Sequence, residues 1–112
     1  MKDLLEQNCN NLPTKLTSLD NKEIKQLLQQ LDPEWALYEQ DSSISHTFSF
    51  KNYYQTIAFV NVIAQIAHQQ DHHPDLLVSY NRCVVTYSTH SVGGLSIKDF
   101  ICAAHINAAL NL

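Results

Sequence analysis

The chain has 112 residues, 45% of them hydrophobic and 16% charged, with a formal net charge of −4. That suffices for one folded domain with a hydrophobic core, not for two, and the composition is globular rather than disordered. Seven Lys and Arg, spread thinly from Lys2 to Lys98, form no basic patch, which excludes a nucleic-acid surface.

In chain order, residues 1–16 are polar, carry Pro13 and read as a flexible N-terminal arm, followed by a single domain over 17–112. Asp20 caps a first helix, with Glu23 completing a capping box. Ile24, Leu27, Leu28 and Leu31 give that helix one apolar stripe, and Asp32-Pro33 ends it. A short strand over 35–39 and a turn through Gln40-Asp41-Ser42-Ser43 follow. Ile44, His46, Phe48 and Phe50 then alternate with Ser45, Thr47 and Ser49, the period of a half-buried strand, so a hairpin is expected.

Asn52 caps the longest helix, over about 53–70, which is apolar round a wide arc. Ile57, Ala58, Val60, Ile63, Ala64 and Ala67 lie on one side, with Phe59, Val62 and Ile66 beside them. So wide an arc predicts burial against a sheet and a second contact besides. Strands are expected over 76–81 and 83–89, linked at Asn81-Arg82 and rich in β-branched residues. Val84, Thr86, Ser88 and His90 would share one face of the last strand. Val92-Gly93-Gly94 makes a turn, and Ser96 with Asp99 boxes the start of a final helix striped by Ile97, Ile101, Ala104 and Ala108. The order α-β-β-α-β-β-α predicts an α+β fold: a four-stranded antiparallel sheet with three helices packed on one face. Its free edges and open face are expected to be managed by self-association.

No apolar run approaches the roughly 18 residues of a membrane span. Residues 1–11 lack the apolar centre of a signal peptide, so a cytoplasmic location is expected. Cys9, Cys83 and Cys102 are an odd number at wide spacings, as free thiols in a reducing compartment would be. Two glycines exclude a Gly-rich phosphate loop. No Ser sits in a nucleophile elbow, and Cys83 lies inside a strand, so nucleophilic catalysis is disfavoured.

The chemistry concentrates in Asp71-His72-His73-Pro74 and Thr89-His90. Imidazole gives and takes protons near neutrality, and Pro74 pushes His73 out of the helical region, placing the doublet where a helix ends. His72, His73, His90, Cys83 and Asp99 could supply zinc ligands in principle. Adjacent histidines diverge, however, and the His68/His72 pair has Gln69 where a zinc hydrolase motif needs its general base. Each residue alone has an ordinary explanation: surface histidines, a strand-end His90, a capping Asp99, a strand Tyr80.

The full spacing is more specific. His72-His73-Pro74, Tyr80-Asn81, His90, Gly94-Leu95-Ser96 and Asp99, with Phe48-Ser49-Phe50-Lys51 and Thr86-Tyr87-Ser88-Thr89 around them, resemble the signature of the pterin-4a-carbinolamine dehydratases over about residues 17–110. The resemblance implies the same helix-backed sheet. It also implies dehydration of 4a-hydroxytetrahydropterin to the quinonoid dihydropterin, in recycling for aromatic amino-acid hydroxylases, without metal or organic cofactor. His72 and His90 match the histidines that act as general acid and base, and His73 the one that chiefly holds the pterin. Tyr80, His68 and Asp99 complete the expected substrate-binding set, with Asp99 available to orient His90. Imidazoles suit such a reaction, each proton transfer being worth about 10²–10⁴-fold. One position departs from the family pattern: an acidic residue usually stands where this chain has His68, and only a carboxylate there would favour protonated histidines. The resemblance further implies dimers or tetramers. As an alternative it implies a protein-interaction module, since animal members act as dimerisation cofactors of a homeodomain transcription regulator.

Overall fold

The computed structural model describes residues 3–12, 15–38, 40 and 42–110. Helices α1 (Asn21–Leu28), α2 (Tyr53–Gln70) and α3 (Ile97–Leu110) alternate with two strand pairs. These are β1 (Ala36–Tyr38) with β2 (Ser43–Ser49), and β3 (Asp75–Ser79) with β4 (Arg82–Tyr87). The order is the one expected, and all pairings are antiparallel in a sheet ordered β1-β2-β4-β3. The two hairpins therefore meet through their second strands. Glu39, the expected end of the first strand, and Asp41 of the expected turn lie outside the described residues.

The period-2 pattern decides which face is dry. Ile44, His46 and Phe48 of β2 pair with Tyr87, Val85 and Cys83 of β4, and all six are buried. They join Phe59 and Ile63 of α2 and Phe100, Ile101 and Ile106 of α3 in one core. The opposite face carries the half-buried Val84, Thr86 and Ser88 and the exposed Thr47 and Ser49.

Each helix starts where its sequence says. Asp20 and Glu23 form the full capping box of α1, and the Asn52 side chain accepts from the Gln55 N–H at the start of α2. The buried stripe of α2 differs from the expected arc. Thr56, Phe59, Ile63, Ile66 and Gln70 are buried, whereas Ala58, Val62 and Ala64 are exposed. Two polar residues belong to this stripe because each finds a partner: the Thr56 hydroxyl donates to the Asn52 or Tyr80 carbonyl, and the Gln70 side chain accepts from Cys9.

That last contact corrects the reading of residues 1–16 as a loose arm. In its described part, Leu4–Glu6 and Cys9–Asn11 form 3-10 turns, with Leu4 and Cys9 buried. The Leu4 N–H donates to Gln30 Oε1 at 2.9 Å, and the Cys9 N–H to Gln70 Oε1 at 2.7 Å. Asn10 Nδ2 donates to the Gln69 carbonyl. A polar composition hid two apolar anchors and three side-chain clamps; Pro13 lies outside the described residues.

No helix among the described residues is long and apolar enough to cross a membrane.

Candidate active site

The chain reaches its histidine pair by a sharp helix stop. Asp71 adopts the left-handed conformation (φ 51°), and the His72 N–H donates back to the Ala67 carbonyl at 3.2 Å. This six-to-one bond closes a Schellman motif, with aspartate at a position that glycine usually fills and that Asp tolerates better than most residues. The turn throws His72 off the helix surface. His68, one helical turn earlier, would share a face with His72 only if α2 continued. It stays exposed on α2 and does not line the cavity described below.

The second half of the site comes from the end of β4. The strand stops at Tyr87, two residues short of the expected end. Thr89 pairs instead with Gly94, its N–H donating to the Gly94 carbonyl at 2.8 Å. Between them His90–Val92 make a 3-10 turn closed by Gly93 at φ 69°. His90 is therefore an exposed turn residue rather than the last residue of a strand.

These two ends enclose a cleft of about 240 Å³ that His72, His73 and His90 all line, with Thr86, Ser88 and Lys98 among its other walls. It lies below the roughly 300–1,000 Å³ of drug-sized pockets and is sized for a small ring system. Asp71, Asp75 and Lys98 bring two carboxylates and one cation to its lining. Thr86 and Ser88 were legible as sharing a face with His90, and Asp71 as part of the histidine stretch; Asp75, Ser91 and Lys98 carried no sequence signal as site residues.

Asp99 organises the site from behind. It is fully buried, and its Oδ1 accepts from His72 Nε2 at 2.6 Å. Its Oδ2 accepts from Thr89 Oγ1 at 2.8 Å and from the Ser96 N–H at 3.0 Å. The last bond is the backward half of the expected capping box, while the Ser96 hydroxyl meets Thr89 Oγ1 at 2.7 Å. The carboxylate thus holds His72 directly, not His90 as expected, and reaches His90 only through its neighbour Thr89. Its oxygens are spent within the protein, so it does not line the cleft.

A carboxylate can only accept, so His72 Nε2 carries a hydrogen and Nδ1 is left for proton exchange. The His72 ring stacks on Tyr87 at a centroid distance of 5.7 Å, which fixes its plane. His73 is freer: its Nδ1 lies 3.4 Å from the Pro74 carbonyl, a weak contact that leaves the ring exposed beside the cleft. Tyr80 stands apart. It is exposed at the β3–β4 turn, at the opposite end of β3 from Asp75, about 16 Å along the strand. It does not line the cleft.

A sequence profile of the family described as pterin 4 alpha carbinolamine dehydratase matches residues 17–109. A protein of Nitrosomonas eutropha, assigned by name to the pterin-4-alpha-carbinolamine dehydratases, is 51% identical over 96% of this chain and 94% of its own length. One from Stenotrophomonas maltophilia, named likewise, is 56% identical over 80% of this chain and 77% of its own. Among solved structures, one described as a transcriptional coactivator/pterin dehydratase from Brucella melitensis superposes with a TM-score of 0.77 at 33% identity. It covers 82% of this chain and 97% of its own. A pterin dehydratase-like protein described as a RuBisCO assembly factor in the alpha-carboxysome shares the fold, with a TM-score of 0.60 at 20% identity over 70% of this chain and 90% of its own.

Proposed function

This chain belongs to the pterin-4a-carbinolamine dehydratase family, and on that premise we propose that its histidine cleft removes water from a 4a-hydroxytetrahydropterin. The observation that carries the reading is the convergence of His72, His73 and His90 on one cleft, with His72 anchored on a buried carboxylate.

The reaction breaks the C4a–O bond and a ring N–H bond, forms a C=N bond and releases one water. One group must protonate the departing hydroxyl and another must accept the ring proton. His72 takes the ring proton at Nδ1. Asp99, on its Nε2, holds the ring in place and stabilises the imidazolium that forms, as the carboxylate of a catalytic triad does. His90, exposed and in exchange with solvent, delivers its proton to the leaving hydroxyl. His73 supplies a hydrogen bond to the pterin, and Thr86 and Ser88 offer hydroxyls to its polar edge. The product is the quinonoid dihydropterin, the form returned to an aromatic amino-acid hydroxylase after reduction. Three free, buried cysteines among the described residues fit work in a reducing cytoplasm.

The free edge of β3 supports self-association into dimers or tetramers: every residue of the strand is exposed, Leu77 at 68%. A protein-interaction role beside catalysis is favoured by the outer face of α2, where Tyr54 is 81% and Val62 40% exposed. The Brucella neighbour's description as a coactivator points the same way.

Stopped-flow decay of a 4a-hydroxytetrahydropterin, generated by a phenylalanine hydroxylase, tests the activity. His72→Gln, which keeps a donor for Asp99, together with His90→Ala, at an exposed position, should remove the acceleration while circular dichroism stays unchanged. A double variant as active as the parent would disprove the acid–base assignment. A binding role alone would instead respond to Tyr54→Ala and ignore both histidines.

A further inference from the structure

Away from the histidine cleft, the loop between α1 and β1 meets the core face of β2 at His46, which is 5% exposed. His46 Nδ1 lies 3.1 Å from the carbonyl oxygen of Thr47. A carbonyl only accepts, so Nδ1 carries the hydrogen, and in the neutral ring Nε2 holds the lone pair. Two carboxylates lie beside that nitrogen, with Asp32 Oδ2 at 3.2 Å in hydrogen-bond geometry and Glu34 Oε2 at 3.8 Å. Three acceptors facing one another call for a positive charge between them, either a second proton on the ring or a metal ion.

We propose that Asp32, Glu34 and His46 form a site for a divalent transition metal, with zinc as its best-matched occupant. Three observations favour the ion over the proton. First, the ligand atoms of the trio lie within 4.8 Å of one another. Zinc with arms of about 2.0–2.2 Å in a tetrahedron sets ligand atoms about 3.4 Å apart. The His46–Asp32 separation already fits, and the Glu34 side chain, 74% exposed, is free to move in towards both partners.

Second, the surroundings are those of a metal-bound histidine. An imidazole whose other nitrogen donates to a backbone carbonyl has its tautomer fixed and its free nitrogen made more basic. Asp32 is prepared in the same way: Oδ1 accepts from the Glu34 N–H at 3.0 Å, which leaves Oδ2 for the ion. Third, the ring is rigid before anything binds. It stacks on Phe48, with centroids 3.8 Å apart and planes 9° from parallel, and meets Trp35 edge-on at 5.2 Å. One imidazole and two carboxylates match the charge of a divalent ion. The nitrogen donor selects zinc, nickel or copper over magnesium and calcium. With three protein ligands a fourth position stays open to water. The ion ties the loop after α1 to a central strand.

The test is zinc chloride titrated calorimetrically into chelator-stripped full-length protein at neutral pH. The expected result is one zinc per chain with a dissociation constant at or below about 10 µM. Zinc, but not magnesium, should raise the melting temperature. Asp32→Asn with Glu34→Gln, both at surface side chains, should weaken binding by at least about 30-fold and abolish the zinc-dependent rise, with circular dichroism unchanged. His72→Gln with His90→Ala should leave both readings as in the parent. No binding at 100 times that concentration would overturn the site and leave the trio as an ion pair on a protonated histidine. Binding that survives the carboxylate substitutions, or that disappears with the cleft histidines, would overturn it equally.

Discussion

His72 and Asp99 are 27 residues apart in sequence and 2.6 Å apart in space, the imidazole Nε2 donating to a carboxylate with no solvent exposure. A buried carboxylate is tolerated only when it is fully hydrogen-bonded, and Asp99 satisfies this with donors from His72, Thr89 and Ser96. The same three bonds fix the end of α2, the turn that carries His90 and the start of α3.

Asp99→Asn therefore separates positioning from folding. The amide keeps the shape but removes the charge that stabilises an imidazolium and lets the His72 ring choose the other tautomer. Expected is a fall in kcat of about 10²–10⁴-fold, the scale of one proton transfer, with KM little changed. Loss of charged hydrogen bonds should also lower stability by about 1–3 kcal/mol. A variant that loses stability but keeps its kcat would show the carboxylate to be structural only. Steady-state kinetics on the folded fraction, defined by circular dichroism, distinguishes the outcomes.

Tyr87 stacks on His72, yet its hydroxyl is buried with no conventional hydrogen-bond partner, its neighbour being the Cys102 thiol. Burial pushes the Tyr87 phenol well above its ordinary range, and the Cys102 thiol and Asp99 carboxylate add to the effect. A group whose native pKa is raised releases its proton first from the unfolded chain. Its contribution to stability is therefore complete below about pH 10 and declines as pH rises above the unfolded value. Tyr87→Phe keeps the ring and removes an unsatisfied hydroxyl. At pH 7 it should be neutral or more stable by up to about 1 kcal/mol. Above pH 10 its stability should fall less steeply than the parent's. Urea unfolding at pH 7 and at pH 10.5 measures both, and equal alkaline slopes would contradict the account.

Much of this fold was legible because its signals are local. Asp20 with Glu23, Asn52 before an 18-residue helix, and the alternation through Ile44, His46 and Phe48 each act over one helical turn or one strand. The doublet at His72 and the turn at His90 were legible as ends of elements, and the structure brings both to one cleft. What escaped depends on long-range partners. The resemblance offered Asp99 to His90, whereas the carboxylate meets His72, whose ring leaves α2 after the left-handed Asp71. The exposure of Ala58, Val62 and Ala64 follows from where the sheet lies, which helical periodicity cannot specify. His46 looked like one more alternating core residue, and nothing local announced the carboxylates of a loop more than ten residues earlier.

The N-terminal segment was misread for the same reason, and its anchoring is measurable. Leu4 is 1% exposed, and the Gln70 side chain, 4% exposed, receives the Cys9 N–H. Leu4→Ala removes buried apolar volume from a short 3-10 turn that can partly collapse, so a cost near the lower part of the 2–5 kcal/mol range, about 2 kcal/mol, is expected. Gln70→Ala strands a buried N–H and should cost about 1–3 kcal/mol. Both should make residues 3–12 the first site of cleavage in limited proteolysis, whereas the parent resists there. A parent chain clipped in this segment as fast as either variant would restore the loose-arm reading.

The last prediction concerns the edge of the sheet. Among the described residues β3 pairs only with β4, leaving an outer edge beside Leu76, Leu77 and Val78, which are 36%, 68% and 38% exposed. An uncovered apolar edge strand is a template for pairing, and folded proteins blunt such edges with charge when they must stay alone. Here Leu77 projects on the open face of the sheet, opposite Val84 of β4, so a charge at 77 would sit inside any sheet continued across the edge. Leu77→Lys leaves the core untouched because the residue is already the most exposed of the strand's apolar residues. The parent is expected at a multiple of 12.7 kDa by light scattering, and Leu77→Lys at 12.7 kDa with unchanged circular dichroism. A parent that is already monomeric at micromolar concentration would show that this edge stays solvated. A variant that keeps the parent's mass would place the contact elsewhere, and the exposed face of α2 would be the next surface to test.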